Sequence, residues 1–257
     1  MRILVVIGRV LNPRGITVNR RAGRVFVNRE EYVMQPADRC ALEMALRIKD
    51  AHGAEVIALP RGPLPDDDVL RQAIATGADR AIYLVGDGFA ADDGAMAGLL
   101  AAAATRLGGA DLILTGATTL DSGQGQLGPR LAEALGWPQV VDAWDIRPQD
   151  GAVQVVCRAD DGFVVMEAPL PAVVTIAPGA LKPRYPGGAR LINIYKGVGD
   201  VAAALERWEV GDLAAGLSLT PLLEQRGQEF PPERERGTRF SGTPQELADA
   251  LRNRLPR

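Results

Sequence analysis

The chain has 257 residues, 47% of them apolar and 24% charged, with 29 lysines and arginines against 32 acids for a formal net charge of −3. That balance excludes a general nucleic-acid surface, which needs clustered positive charge, and no apolar run approaches the ~20 residues of a membrane span. Two distant cysteines, Cys40 and Cys157, and one histidine, His52, exclude a disulfide framework, a multi-histidine metal site and a serine-type triad.

The chain opens with MRILVVIG. One basic residue and five apolar ones are too few for a signal peptide, so residues 3–7 read as a buried strand and the protein as cytoplasmic. Residues 37–50 form a helical pattern with Ala41, Met44, Ala45 and Ile48 on one face, and His52 falls at its solvated end. Residues 55–59 (EVIAL), 80–84 (RAIYL) and 111–115 (DLILT) repeat the first strand's continuous apolar character, which belongs to strands covered on both faces. Helical segments lie between them. Residues 66–76 open with three aspartates and close at Gly77, and residues 92–107 are alanine-rich. This β-α-β-α order implies a Rossmann-like, doubly wound α/β sheet, mainly parallel, with right-handed crossovers.

Beyond Gln139 the signals are those of an antiparallel hairpin region. VVDAWDI, AVQVVCR and FVVMEA are separated by the turn candidates Gln149-Asp150-Gly151 and Asp160-Asp161-Gly162. AVVTI at 172–176 reads as one more buried strand. The stretch 178–190, PGALKPRYPGGAR, is too punctuated by Pro and Gly for a helix. Residues 229–242 hold almost no core-forming side chains and read as an extended arm. In the helix that follows, Thr243 is the N-cap, Pro244 the first helical residue and Glu246 the partner in a capping box. Leu247, Leu251 and Leu255 make a stripe that needs cover, on the chain's own domain or on a partner. The expected division is an α/β nucleotide-binding domain at 1–196 and a C-terminal arm and helix at 197–257.

Between the strand DLILT and the helix PRLAEAL lies LDSGQGQLG, donor-rich and glycine-rich. In an open α/β sheet that is where ligands bind, at strand carboxyl ends and helix N-termini. The loop matches neither the Walker pattern nor GxGxxG, so a nucleotide site and a plain surface loop both remain open from the residues alone.

Six ordered segments carry a resemblance. They are ILVVIGRVLNP, MQPADRCALEMAL, LRQAIATGADRAIYL, LDSGQGQLGPRLAEALGWPQ, LPAVVTI with KPRY, and ERERGTRFSGTPQELADAL. Over essentially its whole length the chain resembles the β subunit of electron transfer flavoproteins, most of all the nitrogen-fixation-associated and electron-bifurcating branch. The resemblance implies a carrier rather than an enzyme. It implies a heterodimer with an α subunit that bears a redox-active FAD, AMP or a second FAD in this chain, a donor dehydrogenase, and an acceptor such as a quinone oxidoreductase or ferredoxin. The implied cofactor-binding positions are Val6, Gln35, Pro36, Asp38, Gly62, Gly116, Asp121, Gly123, Gln124, Gly125, Gln126 and Gly128. Arg184, Tyr185 and Leu191 would lie in the partner-recognition segment.

There are departures from the family pattern. Gly8 replaces a lysine and Gln35 an asparagine, while Gly123, Gln124 and Gly125 replace an acid, a threonine and an alanine. The hairpin turn reads Asp161, Gly162, Phe163, and Gly187 with Gly188 lengthens the recognition segment. The competing expectation is a free-standing adenine-nucleotide-binding regulatory or scaffold protein on the same fold.

Overall fold

The computed structural model describes residues 1–86, 92–221, 226–227, 229–230 and 237–254. β1 (Arg2–Ile7) is followed by β2 (Arg9–Leu11), the exposed hairpin β3 (Ile16–Asn19) and β4 (Arg24–Val27), and β5 (Tyr32–Met34), which returns to pair with β2. Helix α1 (Pro36–His52) begins on a proline whose fixed φ suits the first turn and ends at Gly53 in the left-handed region, φ +73°.

β6 (Glu55–Pro60), α2 (Asp68–Thr76), β7 (Arg80–Val85), α3 (Asp93–Arg106) and β8 (Leu112–Gly116) then alternate. α4 (Leu127–Leu135) leads into the long β9 (Gln139–Gln149), the hairpin partners β10 (Ala152–Ala159) and β11 (Gly162–Pro169), and β12 (Ala172–Ile176). The chain continues through α5 (Gly188–Lys196), α6 (Asp200–Ala203), β13 (Leu205–Glu209), α7 (Val210–Leu213) and α8 (Pro244–Arg252).

Nine strands form one sheet in the order β11-β10-β9-β12-β8-β1-β6-β7-β13. From β9 to β13 every pairing is parallel; only β10 and β11 run in antiparallel pairs. The fold is the Rossmann-like α/β sheet that the sequence implies. β1 shows why it needs cover on both faces. Ile3, Val5 and Ile7 enter a core with α1 and α2, while Leu4 and Val6 enter a second core with α3 and α4. Alternate side chains of a strand point to opposite faces, so a continuous apolar run fills both.

Three expectations change. Residues 188–190 are helical, because α5 is built against the end of α2. Gly187 N–H donates to Ala75 O (3.0 Å), and the Arg190 guanidinium donates to Ile74 O (2.8 Å) in the last turn of α2 and to Ala78 O (3.3 Å) just beyond it. β13 and α7 lie beyond residue 196, yet β13 pairs with β7 and Val210 and Leu213 enter the second core. The candidate arm is therefore shorter than residues 197–257. Finally, β9 belongs to the hairpin on one side but pairs in parallel with β12 on the other. Leu255 and residues 231–236 lie outside the described residues. Among the described residues no helix is long and apolar enough to cross a membrane.

Candidate functional site

Going along the chain from β1, the strands are added first on one side of it (β6, β7) and then on the other (β8, β12). The order reverses between β1 and β8, and there the carboxyl ends of neighbouring strands diverge and open a crevice. In this protein a single carboxylate ties those two ends together. Asp38, in the first turn of α1 and fully buried, accepts the Gly8 N–H (2.9 Å) on one oxygen and the Gly116 N–H (2.9 Å) on the other. Arg61, just past β6, adds an Nη1–H to the second oxygen (3.2 Å). Burial pushes the Asp38 carboxyl above the usual carboxylate range, against the pull of Arg61 and the two N–H groups.

Gly116 is required at this point, because a Cβ there would fall on Asp38 Oδ1 and lie 2.7 Å from Ala37 Cβ. Gly128 is likewise a packing glycine; a Cβ would fall on Thr175 Cγ2 and lie 3.2 Å from Thr115 Oγ1.

Above this floor lies a cleft of about 180 Å³ lined by Gly8, Gln35, Arg61, Gly62, Asp93, Asp121 and Gln124, among others. That volume is below the roughly 300–1,000 Å³ of complete ligand pockets. Of the expected site residues, Gln35, Gly62, Asp121 and Gln124 line the cleft. Val6, Asp38, Gly116 and Gly128 are buried beneath or beside it. Pro36 is exposed at the start of α1. Gly123 takes φ +69° in the loop, and Gly125 packs so closely on Ala117 O that no Cβ fits.

The loop from 117 to 126 is a preorganised turn more than an open cradle. Thr119 N–H binds Gln124 O (2.9 Å), Gly123 N–H binds Thr119 O (3.0 Å) and Ser122 N–H binds Asp121 Oδ1 (2.7 Å). Leu120 N–H is taken by Gln35 Oε1 (3.0 Å), which fastens the loop to the head of α1. Gln126 Oε1 accepts both Nε and Nη2 of Arg130 (3.1 and 2.9 Å).

Two cleft residues escaped the sequence reading, Arg61 and Asp93. Among the described residues, the buried side-chain polar atoms with no hydrogen-bond partner are Arg61 Nη2, Asp93 Oδ2 and Trp144 Nε1, and the first two belong to this cleft. The Arg61 side chain is 9% exposed. Asp93 opens α3 just after its N-cap, Asp92, whose Oδ1 accepts the N–H groups of Gly94 (2.8 Å) and Ala95 (3.3 Å). Burial pushes the Asp93 carboxyl up and Asp92 adds to this, while Arg61, Arg130 and the Gln126 N–H pull it down. The available signal was position: an arginine immediately after a buried strand and a second aspartate at a helix start.

The expected recognition residues are divided. Arg184 is tied to α1, giving Nε to Glu43 Oε2 (2.8 Å) and Nη2 to Asp50 Oδ2 (2.8 Å). Leu191 is half-buried against the core under α1 and α2. Tyr185 is 80% exposed, and the exposed large apolar residues of α5 are Ile192 and Tyr195.

A doubly wound sheet with a polar cleft at its strand-order reversal is the arrangement in which open α/β proteins place their ligands. The profile of the electron transfer flavoprotein domain matches residues 23–210. The chain is 30% identical to the caffeyl-CoA reductase-Etf complex subunit CarD of Acetobacterium woodii, over 99% of this chain and 98% of that one. It is 28% identical to the electron transfer flavoprotein subunit beta of Thermoanaerobacterium thermosaccharolyticum over the same shares, and 34% identical to Protein FixA of Azorhizobium caulinodans over 68% and 66%. The chain belongs to the electron transfer flavoprotein family, as a β-type subunit with an electron-transfer role in such a complex.

Proposed function

We propose that this chain forms a heterodimer with an FAD-carrying α subunit and relays electrons from a donor dehydrogenase to an acceptor such as a quinone oxidoreductase or ferredoxin. It holds an adenine nucleotide, AMP or a second FAD, in its own cleft, and it works in the cytoplasm as a carrier rather than a catalyst. The observation that supports the nucleotide is the cleft itself: it lies at the strand-order reversal, and two of the residues that line it carry buried polar atoms, Arg61 Nη2 and Asp93 Oδ2, with no partner among the described residues. Buried polar groups are almost always paired, so such atoms call for a ligand or a water.

Bound FAD supplies the redox chemistry. The chain's own residues bind and position. Asp38 fixes the floor, Gln35 fixes the loop, and Gln124 and Asp121 stand at the rim. The relative from Acetobacterium woodii is named as a subunit of a reductase complex, which supports assembly with other chains. The exposed apolar residues of β11, Phe163 at 61% and Val165 at 65%, support a covered surface there, since a bare apolar edge strand invites self-association.

Co-expression with the α chain, followed by heat release and chromatographic counting of nucleotides, tests this. Two FAD per complex place the second flavin here, and one FAD with one AMP makes this an AMP site. One FAD and nothing else makes the cleft a scaffold, which the self-satisfied loop of residues 117–126 favours. If no α chain co-purifies, the heterodimer fails.

A further inference from the structure

The segment from Arg9 to Arg29 carries six arginines and no acid, in a chain whose formal net charge is −3. Within it lies the hairpin β3–β4, and none of residues 16–27 enters either core. Register sets Ile16 opposite Val27 and Val18 opposite Val25, so these four side chains share one face of the ribbon, while Thr17, Asn19, Arg24 and Phe26 share the other. Val18, Val25 and Val27 are 52, 55 and 50% exposed.

A two-stranded ribbon with its apolar face in water is marginal by itself, yet this one is pinned. At its base the Asn28 N–H donates to Gly15 O (2.8 Å) and Asn28 Nδ2 to Thr17 Oγ1 (2.6 Å), and the buried Gly15 packs so closely on Arg29 O that no Cβ fits. At its tip Asn19 Oδ1 accepts the Ala22 N–H (3.1 Å), and Gly23 turns the chain at φ +59°. Local bonds hold an aliphatic ladder out to solvent.

Arg9 is paired with Asp66 and Arg29 with Glu31, whereas among the described residues no carboxylate pairs with Arg14, Arg20, Arg21 or Arg24. An aliphatic centre beside exposed arginines is the make-up of a protein interface, and its complement is an apolar patch rimmed by carboxylates. A lipid surface fits less well. Three arginines stand at the tip ahead of the valines, and the apolar area lacks the Trp, Phe and Leu with which amphipathic segments lie on membranes. Duplex DNA would answer the arginines and leave the valines bare, and the chain's net negative charge opposes its approach.

We propose that the β3–β4 ribbon docks an acidic protein that visits the complex, with the visitor's carboxylates on Arg20, Arg21 and Arg24 and its apolar patch on the Ile16–Val27 and Val18–Val25 pairs. This rests on the electron-relay reading above and gives the relay's visiting partner a charge and a landing place. Opposite charges favour the fast, reversible encounters that a relay needs. β2 and β5 bracket the ribbon and pair beside the cleft, where Arg9 and Gln35 are lining residues, so a docked protein stands on the ligand side of the sheet.

The test titrates the purified heterodimer, and separately the full-length chain, with ferredoxin, a small and strongly acidic electron-transfer protein. Binding should weaken about tenfold or more as salt rises from about 50 to 300 mM. Arg20→Glu, Arg21→Glu and Arg24→Glu together should weaken it by about 10–100-fold at low salt. Val18→Ser with Val25→Ser should weaken it about three- to tenfold and leave the salt dependence as it is. All five side chains are exposed, so both variants should keep the wild-type melting temperature.

The salt series needs no variant, and absence of ferredoxin binding at low salt overturns the proposal. Binding that the triple arginine variant retains overturns it as well. Binding by the chain alone that disappears in the heterodimer also overturns it and gives the ribbon to the α subunit. A DNA duplex and phosphatidylglycerol vesicles are titrated alongside; if either binds more tightly than ferredoxin and responds to the triple variant, the ribbon is a nucleic-acid or lipid surface instead. Co-purification of the α chain tests the relay reading and the hairpin variants test the ribbon, so the two failures are told apart.

Discussion

Asp38 shows how much one buried residue can organise. Its position in the first turn of a helix is readable from QPAD, but its partners Gly8 and Gly116 lie 30 and 78 residues away, and nothing local in the sequence names them. The family resemblance places Asp38 among the cofactor-binding positions, whereas in the structure it lies beneath the cleft and fixes the two strand ends that form it. Asp38→Asn keeps the shape but exchanges one acceptor oxygen for a donor, so one of the Gly8, Gly116 or Arg61 hydrogens loses its partner. A buried donor left unsatisfied costs about 1–3 kcal/mol. Gly116→Ala forces a Cβ into the same carboxylate, and overpacking of this kind costs a similar ~1–3 kcal/mol. Urea unfolding of the two variants should lower the midpoint with little change in slope. Two losses near zero would mean that the strand ends are held by something else. Arg61 and Asp93 were illegible for a different reason. Their significance lies in atoms that have no partner, and only the packed structure shows which atoms those are.

Among the elements, the parallel strands were legible because continuous apolar runs such as ILVVI have no other place to go than a sheet covered on both faces. α5 and β13 were not. GARLINIYK is half polar, and its helix depends on Arg190 reaching the carbonyls of α2; LERWE is an edge strand whose pairing with β7 cannot be read from its own residues. The segment between β12 and α5 is held to α1 in the same long-range manner, through Glu43. This buried carboxylate accepts the Arg184 N–H (3.1 Å), Nε (2.8 Å) and Nη2 (3.3 Å), with Arg47 Nε on its other side (3.0 Å). Burial alone would raise its pKa, but the bonds from Arg184 and Arg47 outweigh burial and hold it below the usual glutamate value. A carboxyl lowered in the folded state binds protons more readily when unfolded. Its stabilisation is therefore complete above the unfolded value of ~4.3 and is lost as pH falls from there through the lower folded value. Between pH 6 and pH 3.5 the wild-type chain should lose more stability than Glu43→Gln, by at most about 1 kcal/mol. Denaturant titrations at the two pH values check this, and parallel losses in both proteins would remove Glu43 from the pH response.

For the whole molecule, the two cores on either face of the sheet already contain the helices that cover it, and α8 contributes to neither. Its ends are nonetheless built for a helix. The Thr243 N–H donates to Glu246 Oε2 (2.7 Å) while the Glu246 N–H donates to Thr243 Oγ1 (3.4 Å), so local bonds close the capping box that the sequence announces. What the sequence left open was where its leucines go. In this chain Leu247 is half-buried, Leu251 is 56% exposed, and no residue of α8 is buried. A nine-residue helix of this kind is marginal in isolation, and its apolar side needs a surface that the chain's own sheet domain does not give it. Cover by the partner subunit makes two expectations at once. Removing residues 237–257 should shift the melting temperature of the isolated chain by less than about 2 °C, equivalent to no more than ~1 kcal/mol for a protein of this size. In the proposed heterodimer, covering a leucine contributes about 1.5–3 kcal/mol, so Leu251→Glu should weaken association with the α chain by roughly 10–100-fold while leaving the isolated chain's melting temperature unchanged. Paired melting curves and surface-binding measurements separate the cases. A truncated chain that melts 5 °C or more lower would place the helix on its own domain, and an unchanged affinity for Leu251→Glu would show that the leucine side of α8 faces water in the complex as well.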